Sequence, residues 1–199
     1  MIDVNSSPRA APAADPPSPP RRFSNREAEE AWSAVATTRT GVELTITPAR
    51  AEDRDALEAF FDRVTPEDRY FRFLSGMRKV DEQRLQAMLR DDDDFSIDFL
   101  ALDGNGEILA TAMLVADADF HSAELALCTR EDAKHKGISW ALLGHAASYA
   151  EAMGIRRIYS IQSVNQTDAL QLEREMGFTL RSQPDDPTTM LVEKTFRRH

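Results

Sequence analysis

The sequence predicts a mixed α/β domain, with a central sheet of six to seven strands and flanking helices, over residues 41–199. Strand-like apolar runs recur at Val42–Thr47, Phe95–Leu102, Glu107–Val115, Glu124–Thr129, Ile155–Ser163 and Thr188–Phe196. Asp103-Gly-Asn-Gly106 is a hairpin turn, which makes the first half antiparallel. The later runs are separated by segments of helical spacing, which makes strand–helix–strand units. No internal repeat is present.

Taken in order, residues 1–22 hold six of the ten prolines among Ala and Ser. Such a segment buries too little apolar area to offset its ordering entropy, so residues 1–40 are expected to be a Pro/Ala-rich disordered tail. Within it, residues 24–37 could form a short helix around Trp32. Val42–Thr47 alternates as a strand, closed by Pro48. A helix over roughly 51–63 is expected, with Leu57, Phe60, Phe61 and, just past its end, Val64 on one face. Thr65-Pro66 is a cap followed by proline at the first helical position, leading into Tyr70-Phe-Arg-Phe-Leu74. Asp81 caps a helix over about 81–90. Asp91–Asp94 form either a solvated loop or an acidic lip that attracts a cation. After the hairpin come the Glu124 strand, a helix from Ile138, a strand over 155–163, a helix over 167–176 closed by Gly177-Phe178, and a last strand.

The composition narrows the function. The chain carries a formal net charge of −10, and its first 40 residues are neutral, with five Arg against five Asp and Glu. The negative excess therefore sits on residues 41–199. It argues against nucleic acid, whose binding is driven by Lys and Arg, and favours a cationic acceptor. No run approaches the ~20 apolar residues of a membrane span, and no secretory signal opens the chain. One cysteine, Cys128, allows no intrachain disulfide; it reads as a buried small hydrophobe. A cytoplasmic location is expected. His121, His135, His145 and His199 have no metal-ligand spacing, so no metal is expected.

The informative stretch is Glu124–Met153. A short strand passes through the charged loop Arg130–Lys136 to Gly137, and an amphipathic helix follows, with Ile138, Ala141, Leu142, His145, Ala146, Tyr149 and Met153 at helical spacing and Gly154 at its end. The first N–H groups of a helix lack intrahelical partners and carry partial positive charge, so this junction can bind an anion. Gly137 permits close backbone approach, and Lys134 and Lys136 add charge. An ordinary strand–loop–helix junction with solvated lysines is the competing reading.

Lys134-His135-Lys136-Gly137-Ile138-Ser139 resembles the Gln/Arg-x-x-Gly-x-Gly/Ala signature of the GCN5-related N-acetyltransferase (GNAT) superfamily, with Lys134 and Ser139 as departures. The element order over residues 41–199 resembles the acetyltransferase fold. Tyr70-Phe-Arg-Phe73, Ala123-Glu-Leu-Ala126 and Pro184-Asp-Asp-Pro187 make the chain most similar to the catalytic domain of Pat-type bacterial protein lysine acetyltransferases. Glu124 lies thirteen residues before Gly137, as in that pattern.

The resemblance implies acetyl-CoA as co-substrate and a protein substrate with an acceptor lysine. Lys134, His135, Lys136, Gly137, Ile138, Ser139 and Trp140 would hold the pyrophosphate. His135 could equally be a solvated loop residue, and Trp140 could pack on the core. Leu127 and Thr129 would flank the cofactor through their backbone. An amine of pKa about 10.4 costs roughly 4–5 kcal/mol to deprotonate at pH 7, and Glu124 would be the general base, partly desolvated beside the cofactor. A solvent-facing Glu at a strand start is the alternative. The family's Asn falls on Asn165 or, by strict counting, Gln166. The position where many relatives carry a thiolate-protonating Tyr is Glu173 here, so no Tyr acid is expected, and water would protonate the thiolate. Two other functions fit the same fold: a polyamine-like small-molecule N-acetyltransferase, and a non-catalytic acyl-CoA-binding regulatory module.

Overall fold

The computed structural model describes residues 22–73, 77, 79–90 and 92–196. The Pro-rich residues 1–21, Leu74, Asp91 and His199 lie outside the described residues. Eight strands form one sheet: β1 (Ala34–Thr37), β2 (Glu43–Pro48), β3 (Ser96–Leu102), β4 (Ile108–Ala116), β5 (Ser122–Thr129), β6 (Arg157–Ser163), β7 (Thr179–Gln183) and β8 (Asp186–Thr195). Their order is β1-β2-β3-β4-β5-β6-β8-β7. Neighbours pair antiparallel except β5 and β6, which are parallel. The helices among the described residues are α1 (Asn25–Trp32), α2 (Arg54–Asp62), α3 (Pro66–Phe73), α4 (Glu82–Leu89), α5 (Ile138–Ala152) and α6 (Thr167–Glu175).

Local chemistry sets most of these boundaries. The Asp68 N–H donates to Thr65 Oγ1 at 3.1 Å, and the Arg84 N–H donates to Asp81 Oδ1 at 3.0 Å, so both expected caps start their helices. Gly154 and Gly177 take φ of 86° and 84° just past α5 and α6, where a side chain would be strained.

Both faces of the sheet are covered, which is why every residue of β3 from Ser96 to Ala101 is buried. One face packs on α5 and α1, around Phe99, Leu114, Leu142, Ala146 and Tyr149. The other packs on α2 and α4, around Leu57, Phe61, Leu85, Leu100 and Cys128.

Two expectations are corrected. The sheet has eight strands rather than six to seven, because β1 and β7 add one at each edge. The ordered unit also begins well before residue 41. Phe23 is 1% exposed, its N–H donates to the Asp94 carbonyl at 2.7 Å, and its ring stacks against Phe120 and Tyr149. Ser24 caps α1 by accepting from the Glu27 N–H at 3.3 Å. Trp32 meets Tyr149 and His145 edge-on. The helix ends at Trp32 rather than residue 37, because Ala34–Thr37 pairs with Glu43–Ile46 of β2. Burying Phe23, Ala28 and Trp32 provides the apolar area that the prolines cannot.

Candidate active site

The sheet opens between β5 and β6. Their pairing covers Ser122 with Arg157, Ala123 with Ile158 and Glu124 with Tyr159. Beyond Glu124, β5 stays with β4 as far as Thr129, and β6 stays with β8 as far as Ser163, so the two strands diverge. A cleft of about 630 Å³ occupies the gap, with walls from α3, β5, the loop before α5, β6 and α6.

The direction of the β5 backbone follows from its ends. The Arg130 N–H donates to the Leu109 carbonyl, and the Ser122 carbonyl accepts from the Asp117 N–H, both on the β4 side. The register between them is unbroken. Because successive residues point to opposite neighbours, the N–H groups of Leu125, Leu127 and Thr129 face the cleft.

The loop at the wide end is held from several sides. Buried Arg130 bonds Glu107 at 2.9 Å and Asp132 at 2.6 Å. Thr40 Oγ1 donates to the Lys136 carbonyl at 2.6 Å, and Thr129 and Ser139 share a hydroxyl hydrogen bond of 2.9 Å. Gly137 has φ of 76°, and a Cβ there would lie 3.2 Å from Thr38 Cβ. His135 also takes positive φ, 61°, uncommon for a residue with a side chain. Lys134 Nζ sits 2.5 Å from Asp68 Oδ2, tying the loop to α3, and Gln166 Nε2 reaches Asp68 Oδ1 at 3.5 Å.

The sequence-derived residues divide as follows. Glu124, Leu127, Thr129, Lys134, His135, Gly137, Ser139 and Asn165 line the cleft, and so does Gln166. Ile138 is 1% exposed in the core and Lys136 is exposed, so neither side chain is in the lining. Trp140 is half-buried, outside both the lining and the core, with the Arg39 guanidinium 4.0 Å above its ring. The Glu124 side chain is exposed. Asp92–Asp94 are absent from the lining. They bond Arg90, the Phe95 N–H, Ser96 and Arg22, which makes them turn and anchor residues. The acidic groups that do line the cleft are Glu67, Asp68, Glu124, Asp168 and Glu173.

Sequence reasoning missed several lining residues because tertiary contacts bring them in. Arg72 of α3 has a side chain 7% exposed and lies 3.9 Å from Asp98, which is wholly buried. Burial pushes the Asp98 carboxyl up to about 7 against the pull of Arg72. Cys128, 2% exposed, has its thiol pushed up to about 12 by burial. Glu173 is 5% exposed, and its Oε1 accepts from Ser160 Oγ at 3.2 Å and Gln162 Nε2 at 3.1 Å. Its burial pushes the carboxyl up to about 7. The sequence offered one signal here, an ionisable residue among Leu170, Leu172 and Met176 on a helix that must pack on a sheet.

Comparison with known proteins bears on this geometry. The family model described as Acetyltransferase (GNAT) family matches residues 57–178. An acetyltransferase of Pseudomonas aeruginosa is 28% identical over 154 residues, covering 76% of this chain and 83% of that protein. Among solved structures, the GNAT domain of S. lividans PAT superposes with a TM-score of 0.76 at 22% identity, covering 83% of this chain and 97% of that one. Spermidine N-acetyltransferase from Vibrio cholerae, solved with CoA and spermine, gives 0.60 at 17% identity, covering 75% and 92%. These two likenesses speak to the fold. Together with a sheet splayed beside a cationic, glycine-bearing loop, the match over most of the chain shows that it belongs to the GNAT family of acetyl-CoA-dependent N-acetyltransferases.

Proposed function

We propose that this enzyme transfers an acetyl group from acetyl-CoA to a lysine amine of a target protein, with Glu124 as general base. The observation that carries the reading is the position of Glu124. It is the last β5 residue paired to β6, exposed at the point where the cleft begins.

The cleft residues suit acetyl-CoA. The first-turn N–H groups of α5 present partial positive charge for its pyrophosphate, Gly137 lets the backbone approach it, and Lys134 stands beside them, paired with Asp68. The cleft-facing N–H groups of Leu125, Leu127 and Thr129 can bond an extended arm alongside β5, and one of them can receive the charge that grows on the acyl oxygen. When bound, acetyl-CoA supplies the activated acyl group. Glu124 takes a proton from the acceptor ammonium, directly or through water. Glu67, Asp68 and Glu124 are among the acidic groups that line the cleft, which favours a cationic acceptor. The protein-lysine reading draws support from the resemblance to Pat-type enzymes, and a cytoplasmic location accords with it.

The acidic lining equally suits a free polyamine, and the likeness to a spermidine acetyltransferase supports this second reading. Labelled acetyl transfer separates the two. Wild type incubated with cell lysate is expected to label a discrete protein band, whereas rapid turnover of free spermine with an unlabelled lysate would replace lysine by polyamine. Glu124→Gln is expected to bind acetyl-CoA within about twofold of wild type in a calorimetric titration. Its acetyl transfer should fall by about 10²-fold or more. Transfer unchanged in that variant would remove Glu124 from the chemistry.

A further inference from the structure

The lysine that the anion-binding loop turns to the cleft already has an anion. Lys134 lines the cleft, whereas Lys136 is exposed outside the lining. Lys134 Nζ lies 2.5 Å from Asp68 Oδ2, and the two side chains are 35% and 18% exposed. The start of α3 does not need this contact. Thr65 Oγ1 donates to the same Oδ2 at 2.6 Å and accepts from the Asp68 N–H at 3.1 Å, so Thr65 and Asp68 cap the helix by themselves. His135, also in the lining, has its Nε2 3.7 Å from Asp168 Oδ2 of α6. Both basic side chains that the loop brings to the cleft therefore face a carboxylate from another wall.

Asp68 stands where the walls of the cleft come closest to the phosphate loop. Lys134 follows β5, Gln166 follows β6, and Asp68 of α3 meets both, with Gln166 Nε2 3.5 Å from its Oδ1. All three residues line the cleft. A ligand phosphate that takes Lys134 as its partner must displace the Asp68 carboxylate or share one ammonium with it. Sharing places two anions side by side, and they repel.

We propose that Asp68 is an internal competitor for the phosphates of the cofactor. Acetyl-CoA enters by an exchange of ion partners, its pyrophosphate taking Lys134 from Asp68, and Asp68 reclaims the lysine as CoA leaves. This rests on the acyl-CoA reading of the cleft. No covalent bond is made or broken in the exchange. Its effect falls on product release. CoA carries the same phosphates as acetyl-CoA, so a loop with an unpaired lysine would hold the product as firmly as the substrate. A carboxylate that takes the lysine back weakens that hold and shortens the stay of CoA. The opposite role for the same contact is orientation, in which Asp68 aims Lys134 at the phosphate and so strengthens binding. The two roles predict opposite signs.

The test measures CoA affinity by calorimetry in wild type, Asp68→Asn, Lys134→Gln and the double variant. Asn keeps an acceptor for Thr65 and Gln166, and Gln is one of the residues that the family signature carries at position 134. Asp68→Asn is expected to bind CoA about fivefold tighter than wild type, the scale of one partly exposed ion pair, and to release it more slowly in stopped flow. In the Lys134→Gln background the same substitution should change affinity by less than about twofold. Weaker or unchanged binding by Asp68→Asn would overturn the competition and make Asp68 a positioning residue for the lysine. Equal tightening with and without Lys134 would also overturn it, because plain repulsion between carboxylate and phosphate has that signature. A second measurement needs wild type alone. The side-chain ammonium signal of Lys134, one of four lysines in the chain, is followed by NMR. It should move when CoA is added and stay in place with pantetheine, which is the same arm without the pyrophosphate. A signal that ignores CoA, or that moves as far with pantetheine, would overturn the exchange while leaving the cleft as the cofactor site. Failure of CoA to bind wild type would overturn the cofactor reading itself, and this proposal with it.

Discussion

Glu173 carries its carboxyl into the protein interior, and the fold bears the cost. Below its ordinary pKa of 4.5, the group is protonated in both the folded and the unfolded chain and does not affect the balance. As pH rises from 4.5 towards 7, the unfolded chain releases the proton while the fold retains it, so stability falls across that window. The loss is complete above about 7, where both states are ionised. Asp98 adds a second loss of the same sign, beginning from 3.8 and also ending near 7. Glu173→Gln keeps an acceptor for Ser160 and Gln162 and removes the titration. It is expected to be on the order of 2 kcal/mol more stable than wild type at pH 8, and within about 1 kcal/mol of it at pH 5. Urea midpoints at the two values check this. A variant no more stable at pH 8 than at pH 5, relative to wild type, would mean that the carboxyl titrates normally.

At the scale of elements, the loop between β5 and α5 depends on the turn between β1 and β2. Thr38 packs against Gly137, and Thr40 holds the Lys136 carbonyl. Gly137→Ala therefore meets two obstacles. Its φ of 76° is unfavourable for a side chain by about 1–2 kcal/mol, and the new methyl would press on Thr38 Cβ at 3.2 Å. Thermal denaturation should register a loss of that order, and calorimetry should show weaker acetyl-CoA binding, because the loop must shift to relieve the contact. Unchanged affinity in a destabilised Gly137→Ala variant would mean that this loop is not the phosphate site.

For the whole molecule, the segment from Arg22 to Thr40 belongs to the folded unit. A fragment of residues 41–199 would lose β1, α1 and the burial of Phe23 and Ala28, and would uncover Tyr149, Leu44 and Ile46. It is expected to melt well below the full chain or without a cooperative transition by differential scanning calorimetry; equal melting would return residues 22–40 to the status of an appendage. The reasons this segment escaped the sequence reading are physical. The four residues of β1 alternate weakly, Ala-Val-Ala-Thr, directly after a run of helical spacing, and a long-range partner decides their state. In β7, the apolar signal reduces to Leu180, and pairing with β8 makes the strand. Caps and turns at Thr65, Asp81, Gly154 and Gly177 could be read because their causes lie within a few residues of them. The cleft shows the same division. Lys134–Ser139 is a contiguous pattern open to recognition, whereas Asp68, Arg72, Ser160 and Gln162 reach it only through the fold.

The burial of Cys128 has a practical consequence. It is the sole cysteine of the chain, and its thiol remains protonated far above neutral pH. Thiol-specific colour reagents attack the thiolate, so they should consume the CoA released at each turnover and leave the enzyme intact. A continuous colorimetric assay can then be run on the unmodified protein, without first replacing its cysteine.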